Sequence, residues 1–284
     1  MQEKKSVAII GNGYVGQAMH NVFKDHFDTL VIDKEYYVTI DGERIDFIDD
    51  AHRVRIKDSI NENVSLAVIC VPTPMNDDGS ADLSILHHTI NWLDTELILI
   101  KSTVPPNTTK TLIEDYGENI AFSPEYIGEG NYSVPYWKGY PDPKNAKLHD
   151  FVTIGGTPHT RVQIVEFFKT VMGAEPHYYL TDPTTAELVK YMENAYLATK
   201  VTFCNEFYDI AEAFGVNYDE LREMWLADGR IGRSHTAVFT GNRGYGGKCL
   251  PKDTNAIVKK AEEVGASVDM LKAVIKVNSK YGNK

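Results

Sequence analysis

The chain alternates between short continuous apolar runs and segments in which apolar residues recur every three or four positions. The apolar runs are VAII (7–10), TLVID (29–33), VSLAVIC (64–70), ELILI (96–100), NIAF (119–122) and FVTIGG (151–156). Runs of this kind are typical of strands in a parallel sheet that is covered on both faces. Helical patterns follow the first and last of them, AMHNVF and TRVQIVEFFKTVMG (160–173). The pattern therefore predicts an α/β domain with a parallel sheet, in which FVTIGG is the last strand.

The longest periodic stretch is residues 184–214, TTAELVKYMENAYLATKVTFCNEFYDIAEAF, which contains no Gly or Pro. Pro183 stands before it and Gly215 ends it, so the stretch predicts one long helix. At 1.5 Å per residue this helix would be roughly 45 Å long, more than the thickness of a small domain. We therefore expect a second, all-α domain built on this helix, with domains at 1–179 and 180–284.

Three polar residues of this helix, Glu187, Lys190 and Asn194, are spaced so that they project from one face. Taken alone, the spacing favours an exposed charged stripe with an i,i+3 ion pair.

Composition narrows the class of protein. The 284 residues, 43% of them hydrophobic, are enough for about two domains. A formal net charge of −11 argues against nucleic acid or an anionic membrane as a general partner. Only four apolar residues follow MQEKKS and no run has membrane length, so we expect neither a signal peptide nor a membrane span. Three widely spaced cysteines indicate no disulfide framework, no zinc site and a reducing, cytoplasmic location.

A glycine motif follows the first predicted strand directly. Gly11, Gly13 and Gly16 form GxGxxG between that strand and a helical segment, and Asp33 ends the second strand 22 residues after Gly11. The glycines permit a tight turn and the close approach of a pyrophosphate to a helix N-terminus, and the acid accepts hydrogen bonds from a ribose. The strand, turn, helix and acid together predict a Rossmann-type doubly wound sheet that binds NAD. Asp33 favours NAD over NADP because a carboxylate repels a 2′-phosphate.

Small and polar residues collect where the next three strands end. They are Thr73, Lys101, Ser102, Thr103, Ser123, Glu125 and Glu129. Ligands of open α/β sheets bind at this edge, although Ser and Thr also occur there as helix caps.

Residues 229–252 carry six basic side chains and no acid: Arg230, Arg233, His235, Arg243, Lys248 and Lys252. This local reversal of sign suggests a phosphate-bearing ligand, and a solvated basic loop is the competing interpretation. The segment leads into GYGGKCLPKD (244–253), where Cys249 follows paired glycines and Asp253 stands four residues later. Because we expect Cys249 to lie in a positively charged turn that favours thiolate, we predict a nucleophile there.

The motifs GNGYVG, VPTP, KSTVPPNT, SPEYIGEG, AELVKYMENAYLATKVTFCNE, RIG and GYGGKCLPKD occur in this order. In them the chain resembles the nucleotide-sugar 6-dehydrogenases, the UDP-glucose/GDP-mannose dehydrogenase family. The resemblance implies a four-electron oxidation of a UDP-glucose-like primary alcohol to the uronate, with two NAD⁺. It also implies a homodimer joined through the helix 184–214.

Residue roles carried over by motif are also implications of the resemblance. Cys249 would capture the aldehyde as a thiohemiacetal that becomes a thioester. Lys190 and Asn194 would hold the reacting oxygen, Thr103 and Asp253 would position a water, and Glu125 would be the general base. The implied substrate contacts are Glu125, Tyr126, Ile127, Lys190, Asn194, Arg230 (from the second subunit), Tyr245 and Gly246. The implied NAD contacts are Gly11, Gly13, Tyr14, Val15, Gly16, Asp33, Lys34, Val71, Pro72, Thr73, Ser102, Thr103 and Glu129.

Two features depart from the family. Family members continue past VNSKYGNK into another α/β domain that binds the nucleotide, so a separate chain supplying that domain is one expectation. The Pro- and aromatic-rich segment 131–150 is longer than usual, and we expect it to cover part of the surface that the missing domain would occupy. Two other functions stay open: a β-hydroxyacid dehydrogenase of the 6-phosphogluconate type, which uses Lys190 and Asn194 without a cysteine, and a truncated binder of NAD or nucleotide sugar without turnover.

Overall fold

The computed structural model describes residues 5–33, 37–40, 43–46, 50–127 and 145–281. These residues form two compact units, one within 5–74, 82–127 and 145–190 and the other within 75–81 and 191–281. The change of unit falls inside the long helix, and the predicted division after residue 179 stays a prediction. Most of the aromatic segment 131–150 lies outside the described residues.

The first unit holds a single sheet that contains every strand the structure describes. Its strands are β1 (Ser6–Ile10), β2 (Asp28–Asp33), β3 (Tyr37–Ile40), β4 (Glu43–Asp46), β5 (Leu66–Ile69), β6 (Ile98–Ile100), β7 (Ile120–Phe122), β8 (Phe151–Gly155) and β9 (His177–Thr181). Their order across the sheet is β4-β3-β2-β1-β5-β6-β7-β8-β9. Pairs β1–β2, β1–β5, β5–β6, β6–β7 and β8–β9 are parallel, whereas β2–β3, β3–β4 and β7–β8 are antiparallel. The prediction of a mostly parallel sheet is confirmed.

Helices cover both faces of this sheet. They are α1 (Tyr14–Phe23), α2 (Asp50–Asn63), α3 (Ser84–Ile90), α4 (Thr108–Tyr116) and α5 (Pro158–Met172). Successive residues of a strand point to opposite faces, so Val7 and Ile9 pack with residues of α1 and α5, while Ala8 and Ile10 pack with residues of α2, α3 and α4. The continuous apolar runs are therefore the sequence of strands buried on two sides, and the fold is doubly wound as predicted.

The prediction that FVTIGG is the last strand of this sheet is wrong. Strand β9 follows α5 and pairs with β8 from Phe151↔His177 to Gly155↔Thr181. Its sequence, HYYLT, is partly or fully exposed at every position because β9 is the outermost strand. An edge strand needs no apolar run, so the pattern missed it. The β3–β4 hairpin at the other edge was missed as well.

The second unit is helical. The long helix α6 spans Pro183–Ala213 and so matches the predicted 184–214, and it is followed by α7 (Tyr218–Trp225), α8 (Cys249–Glu263) and α9 (Asp269–Asn278). The prediction of an all-α region built on one long helix after the sheet is confirmed. Among the helices described, none combines the length and apolar character that a membrane span requires.

Candidate active site

The turn between β1 and α1 requires glycine at two positions. Gly11 has φ +99°, and a Cβ there would lie 2.6 Å from the carbonyl oxygen of Cys70. A Cβ on Gly16 would lie 1.8 Å from the carbonyl oxygen of Gly11, so neither residue tolerates a side chain. Gly13, at the N-cap of α1, provides no side-chain cap, and a Cβ on it would meet nothing within 4 Å. The space at Gly13, beside the N-terminus of α1, is therefore open, and this arrangement fits a pyrophosphate.

Three other residues predicted to contact NAD, Asp33, Tyr14 and Val15, lie beside this turn. Asp33 is the last residue of β2, and the N–H of Gly11 donates to the carbonyl oxygen of Ile32 at 2.8 Å. A carboxylate is therefore held next to the glycine turn, where a ribose would be bound. Tyr14 is exposed and Val15 packs on the core at the start of α1. Lys34 and Glu129 lie outside the described residues.

The loops after β5 and β6 are joined by side-chain hydrogen bonds. Thr73 Oγ1 donates to the carbonyl oxygen of Thr103 at 2.8 Å, and Ser102 Oγ donates to that of Val71 at 2.7 Å. Thr73, Ser102 and Val71 are buried, whereas Pro72 is exposed. All five residues lie at the carboxyl edge of the sheet, as the sequence predicted. Their contact with NAD stays a prediction.

Lys190 of α6 and Glu125, in the segment after β7, form a buried pair within the first unit. Lys190 Nζ lies 3.8 Å from Glu125 Oε1 and 5.3 Å from the centroid of the Tyr126 ring. Glu125 Oε2 accepts a 2.7 Å hydrogen bond from the N–H of Ile127. The two charged side chains are only 8% and 11% exposed, so the carboxylate and the ammonium are oriented with little access to water.

A second buried ammonium lies near the same carboxylate. Lys101 Nζ donates to Ser123 Oγ at 3.2 Å and to the carbonyl oxygen of Pro124 at 2.7 Å. Burial lowers the pKa of Lys101 to about 8, and the negative charge of Glu125 opposes that change. The sequence placed Lys101 at this edge without giving it a role. A lysine directly after an apolar strand was the signal available.

The interpretation of the helix face as an exposed charged stripe is wrong. Glu187 is fully buried, and Lys190 and Asn194 are 7% and 5% exposed. Glu187 accepts two 2.7 Å hydrogen bonds, from the N–H of Asn107 to Oε2 and from the N–H of Thr109 to Oε1. Its carboxylate therefore caps the N-terminus of α4 instead of facing a ligand or solvent. Burial raises the pKa of Glu187 to about 7, although the hydrogen bonds to Thr109 and Asn107 act in the opposite direction.

The cysteine motif lies in the second unit and begins a helix. Cys249, predicted to lie in a turn, is the first residue of α8, and the turn ends before it, with Gly247 at φ +75°. Asp253 lies one helical turn further on; its Oδ2 accepts a 2.6 Å hydrogen bond from Asn194 Nδ2, and its Oδ1 lies 2.5 Å from Lys252 Nζ. The partly buried thiol is thus at the positive end of a helix, on the same side as a buried carboxylate.

The turn before Cys249 is fixed by α9. The N–H of Tyr245 donates to Asn278 Oδ1 at 2.8 Å, and Asn278 Nδ2 donates to the carbonyl oxygen of Tyr245 at 2.9 Å. Gly244 has φ +75°, and a Cβ there would lie 2.6 Å from Asn278 Oδ1. Tyr245 is buried by these contacts and Gly246 is exposed. Asn278 was missed from the sequence because an Asn near the end of a helical pattern carries no distinguishing signal.

Several of the basic residues in 229–252 are paired with acids of the second unit. Arg230 is 2.5 Å from Asp228, with 88% of its side chain exposed, and Arg233 is 2.5 Å from Glu223. Arg243 lies 2.7 Å from Asp209 and between the rings of Tyr208 and Tyr281. The local excess of positive charge is therefore largely balanced, and the phosphate-bearing ligand stays a prediction.

Comparisons with known proteins match both parts of the chain to one family. The NAD binding domain of the UDP-glucose/GDP-mannose dehydrogenase family matches residues 5–138, and the central domain of the same family matches residues 184–280. The UDP-glucose 6-dehydrogenase of Rickettsia felis is 28% identical over 301 residues, covering 96% of this chain and 64% of the relative. The chain thus spans a little under two thirds of that relative's length.

Solved structures agree on the fold. A UDP-glucose dehydrogenase from the archaeon Pyrobaculum islandicum superposes with a TM-score of 0.75 at 24% identity, over 98% of this chain and 68% of that one. The 3-hydroxyisobutyrate dehydrogenase of Mycobacterium tuberculosis gives a TM-score of 0.67 at 13% identity, over 98% of this chain and 94% of that one. Likenesses at such identities show the fold alone. Since the matching domain binds NAD and the glycine turn fits a dinucleotide, NAD is the cofactor. The chain belongs to the UDP-glucose/GDP-mannose dehydrogenase family.

Proposed function

We propose that this protein is an NAD-dependent dehydrogenase that oxidises the primary alcohol of a UDP-glucose-like nucleotide sugar to the carboxylate, through a covalent bond to Cys249. The observation that carries the proposal is the 2.6 Å hydrogen bond from Asn194 to Asp253, one turn after Cys249 on α8. It links the helix face that carries Lys190 and Asn194 to the helix that begins at the thiol. Membership of the family supports the substrate class.

The first oxidation needs a group that stabilises an alkoxide. Lys190 supplies a buried positive charge, and the amide of Asn194 supplies a hydrogen-bond donor held by Asp253. Both stabilise negative charge that develops on the sugar oxygen, whose proton passes to water as the carbon loses a hydride. Bound NAD⁺ is the chemical group that accepts a hydride in each oxidation.

The second oxidation needs the thiol. Cys249 sulfur forms a bond to the aldehyde carbon, and the proton of the thiol moves to the carbonyl oxygen to give a thiohemiacetal. Loss of a second hydride from the carbon, with the hydroxyl proton passing to water, gives a thioester. Water positioned by Thr103 and Asp253 then attacks the thioester while Glu125 accepts its proton. The carbon–sulfur bond breaks, the Cys249 sulfur takes the proton from Glu125, and the carboxylate is released with the remaining proton of the water passing to solvent.

The subunit arrangement that we propose is a cytoplasmic homodimer joined through α6. Large apolar side chains of this helix are exposed in the single chain, Met192 by 78%, Tyr196 by 62% and Phe203 by 45%. A soluble chain rarely leaves such residues grouped on one helix without a partner. Light scattering or sedimentation of the purified protein tests this arrangement, and a monomer at micromolar concentration contradicts it.

A β-hydroxyacid dehydrogenase is the second candidate function. The observation that favours it is that Lys190 and Asn194 are both buried on one face of α6; the superposition on 3-hydroxyisobutyrate dehydrogenase, over 94% of that chain, shows that the fold also occurs in such an enzyme. Such an enzyme would use Lys190 and Asn194 and would not depend on Cys249.

One experiment separates these functions. The purified chain is incubated with NAD⁺ and either UDP-glucose, GDP-mannose or 3-hydroxyisobutyrate, and NADH is measured for the wild type, Cys249→Ser and Cys204→Ala. Cys204 is a buried cysteine of α6 without an assigned role and is the matched control. The proposal predicts two NADH per nucleotide sugar in the wild type and the control, and no uronate from Cys249→Ser. Turnover of the hydroxyacid by Cys249→Ser supports the second candidate, and NAD⁺ binding without NADH identifies a binder.

A further inference from the structure

Glu187 lies at the junction between α6 and the loop that follows β6. Its two carboxylate oxygens accept the N–H groups of Asn107 and Thr109, 80 and 78 residues earlier in the chain. One turn nearer the start of α6, Thr184 Oγ1 donates to Asn107 Oδ1 at 2.8 Å. The first turns of α6 therefore attach the end of the loop, at Asn107, and the first turn of α4 by three hydrogen bonds.

The loop has a local hydrogen bond of 3.1 Å, from the N–H of Thr108 to the carbonyl oxygen of Pro105, but no side chain of the loop caps α4. Asn107 is the N-cap of α4, yet its side chain makes no capping hydrogen bond to that helix. Its backbone has φ +76°, a left-handed conformation that asparagine adopts more readily than most residues other than glycine. The carboxylate of Glu187 satisfies the N–H groups that a side chain of the loop normally caps. The capping of α4 thus depends on a residue from another element.

Net stabilisation does not account for an ionised carboxylate at this position. Burial raises the pKa of Glu187 to about 7, so removing the charge from water outweighs the two N–H donors. A neutral acceptor would satisfy one N–H without that desolvation. What the carboxylate adds is geometry, because its two oxygens accept from two backbone groups at once and fix the spacing between them.

The contact joins two elements. One is the loop of residues 102–107, which is predicted to bind NAD, and the other is α6, which carries Lys190. Ser102 and Thr103 of the attached loop are bonded to the segment after β5. Lys190 follows Glu187 by three residues on the same helix and is paired with Glu125. Any change in how the loop rests on α6 would therefore alter the spacing between the loop at the carboxyl edge and the ammonium group.

We propose that Glu187 is a positioning residue, which holds the 102–107 loop against α6 so that the loop is in its NAD-binding conformation before the cofactor arrives. The residue touches no reacting atom. The proposal rests on the proposed function for its effect on turnover, but its effect on NAD⁺ affinity requires only the NAD-binding domain.

The test is the replacement Glu187→Gln in the full chain, with Glu114→Gln, an exposed glutamate of α4, as the matched control. A glutamine amide offers one acceptor and one donor to two N–H groups, so one contact is lost. The dissociation constant of NAD⁺, measured by calorimetry, is expected to rise about tenfold because only a fraction of the molecules hold the competent loop. With UDP-glucose turnover, the KM for NAD⁺ rises similarly while the KM for the sugar nucleotide changes less than about twofold.

A role in folding alone gives a different result. It would reduce the active fraction and kcat while leaving both KM values and the NAD⁺ dissociation constant unchanged, and that outcome overturns the proposal. If Glu187→Gln does not fold, Thr184→Ala decides, because it weakens the same attachment without altering a buried charge. An increase of about threefold in the NAD⁺ dissociation constant is expected for it, and unchanged affinity refutes the proposal. Absence of sugar oxidation together with weakened NAD⁺ binding would reject the proposed function and leave the positioning role intact.

Discussion

Replacing Glu187 by glutamine should remove a component of stability that changes with pH. Burial raises the pKa of this carboxyl from 4.5 to about 7 in the folded protein. Between these values the unfolded chain is ionised while the folded chain retains the proton. The free energy of unfolding is therefore highest below pH 4.5 and falls as pH rises to 7. At about 1.4 kcal/mol for each pH unit, the loss amounts to about 3 kcal/mol.

The assay is urea unfolding at a series of pH values from 4.5 to 7.5, followed by circular dichroism. Other groups also titrate in this range, so the informative quantity is the difference in unfolding free energy between the wild type and Glu187→Gln. Glutamine does not titrate. The unfolding free energy of the wild type minus that of Glu187→Gln should therefore fall by about 3 kcal/mol as pH rises from 4.5 to 7. Glu114→Gln should show no such change. A constant difference across the range would refute the account of a buried, protonatable cap.

Three further predictions concern groups of the candidate site. Burial lowers the pKa of Lys101 from 10.5 to about 8. The unfolding free energy of the wild type should therefore increase by about 3 kcal/mol as pH rises from 8 to 10.5. Urea unfolding of Lys101→Met should not show this increase. Asp253→Asn removes the charge that holds Asn194, so kcat for sugar oxidation should fall about 100-fold in a folded protein, and an unchanged kcat would remove Asp253 from the mechanism. Asp33→Ala should raise the NAD⁺ dissociation constant about tenfold and reduce the preference over NADP⁺, and calorimetric titration with both dinucleotides measures the effect.

The parts of the fold that the sequence predicted are those with a local cause. The β1 run is continuously apolar because its residues are buried alternately against helices on both faces. Helix α6 starts at Pro183 and ends two residues before Gly215. The stretch between these two residues contains no Gly or Pro, and this absence predicted the helix. GxGxxG and Asp33 were informative because the turn itself excludes side chains.

The parts that were missed depend on distant contacts. Glu187 binds two backbone N–H groups, which every residue except proline supplies, so nothing in the sequence of residues 107–109 marks them as its partners. The paired glycines before Cys249 suggested a turn there, but Pro251 lies in the first turn of α8. Proline is tolerated in the first turn of a helix because the N–H groups there have no intrahelical acceptor, and α8 begins at Cys249.

The central claim, a covalent bond between Cys249 and the substrate carbon, is tested most directly by trapping it. Glu125→Gln should slow the hydrolysis of the thioester because the proton acceptor for water is lost. The variant is incubated with UDP-glucose and NAD⁺, quenched with acid and digested, and the peptide containing Cys249 is examined by mass spectrometry. The account predicts that this peptide carries the mass of the nucleotide-linked acyl group and that the same peptide of Glu125→Gln/Cys249→Ser does not. NADH formation at two equivalents per enzyme, with no added mass on Cys249, would contradict the account.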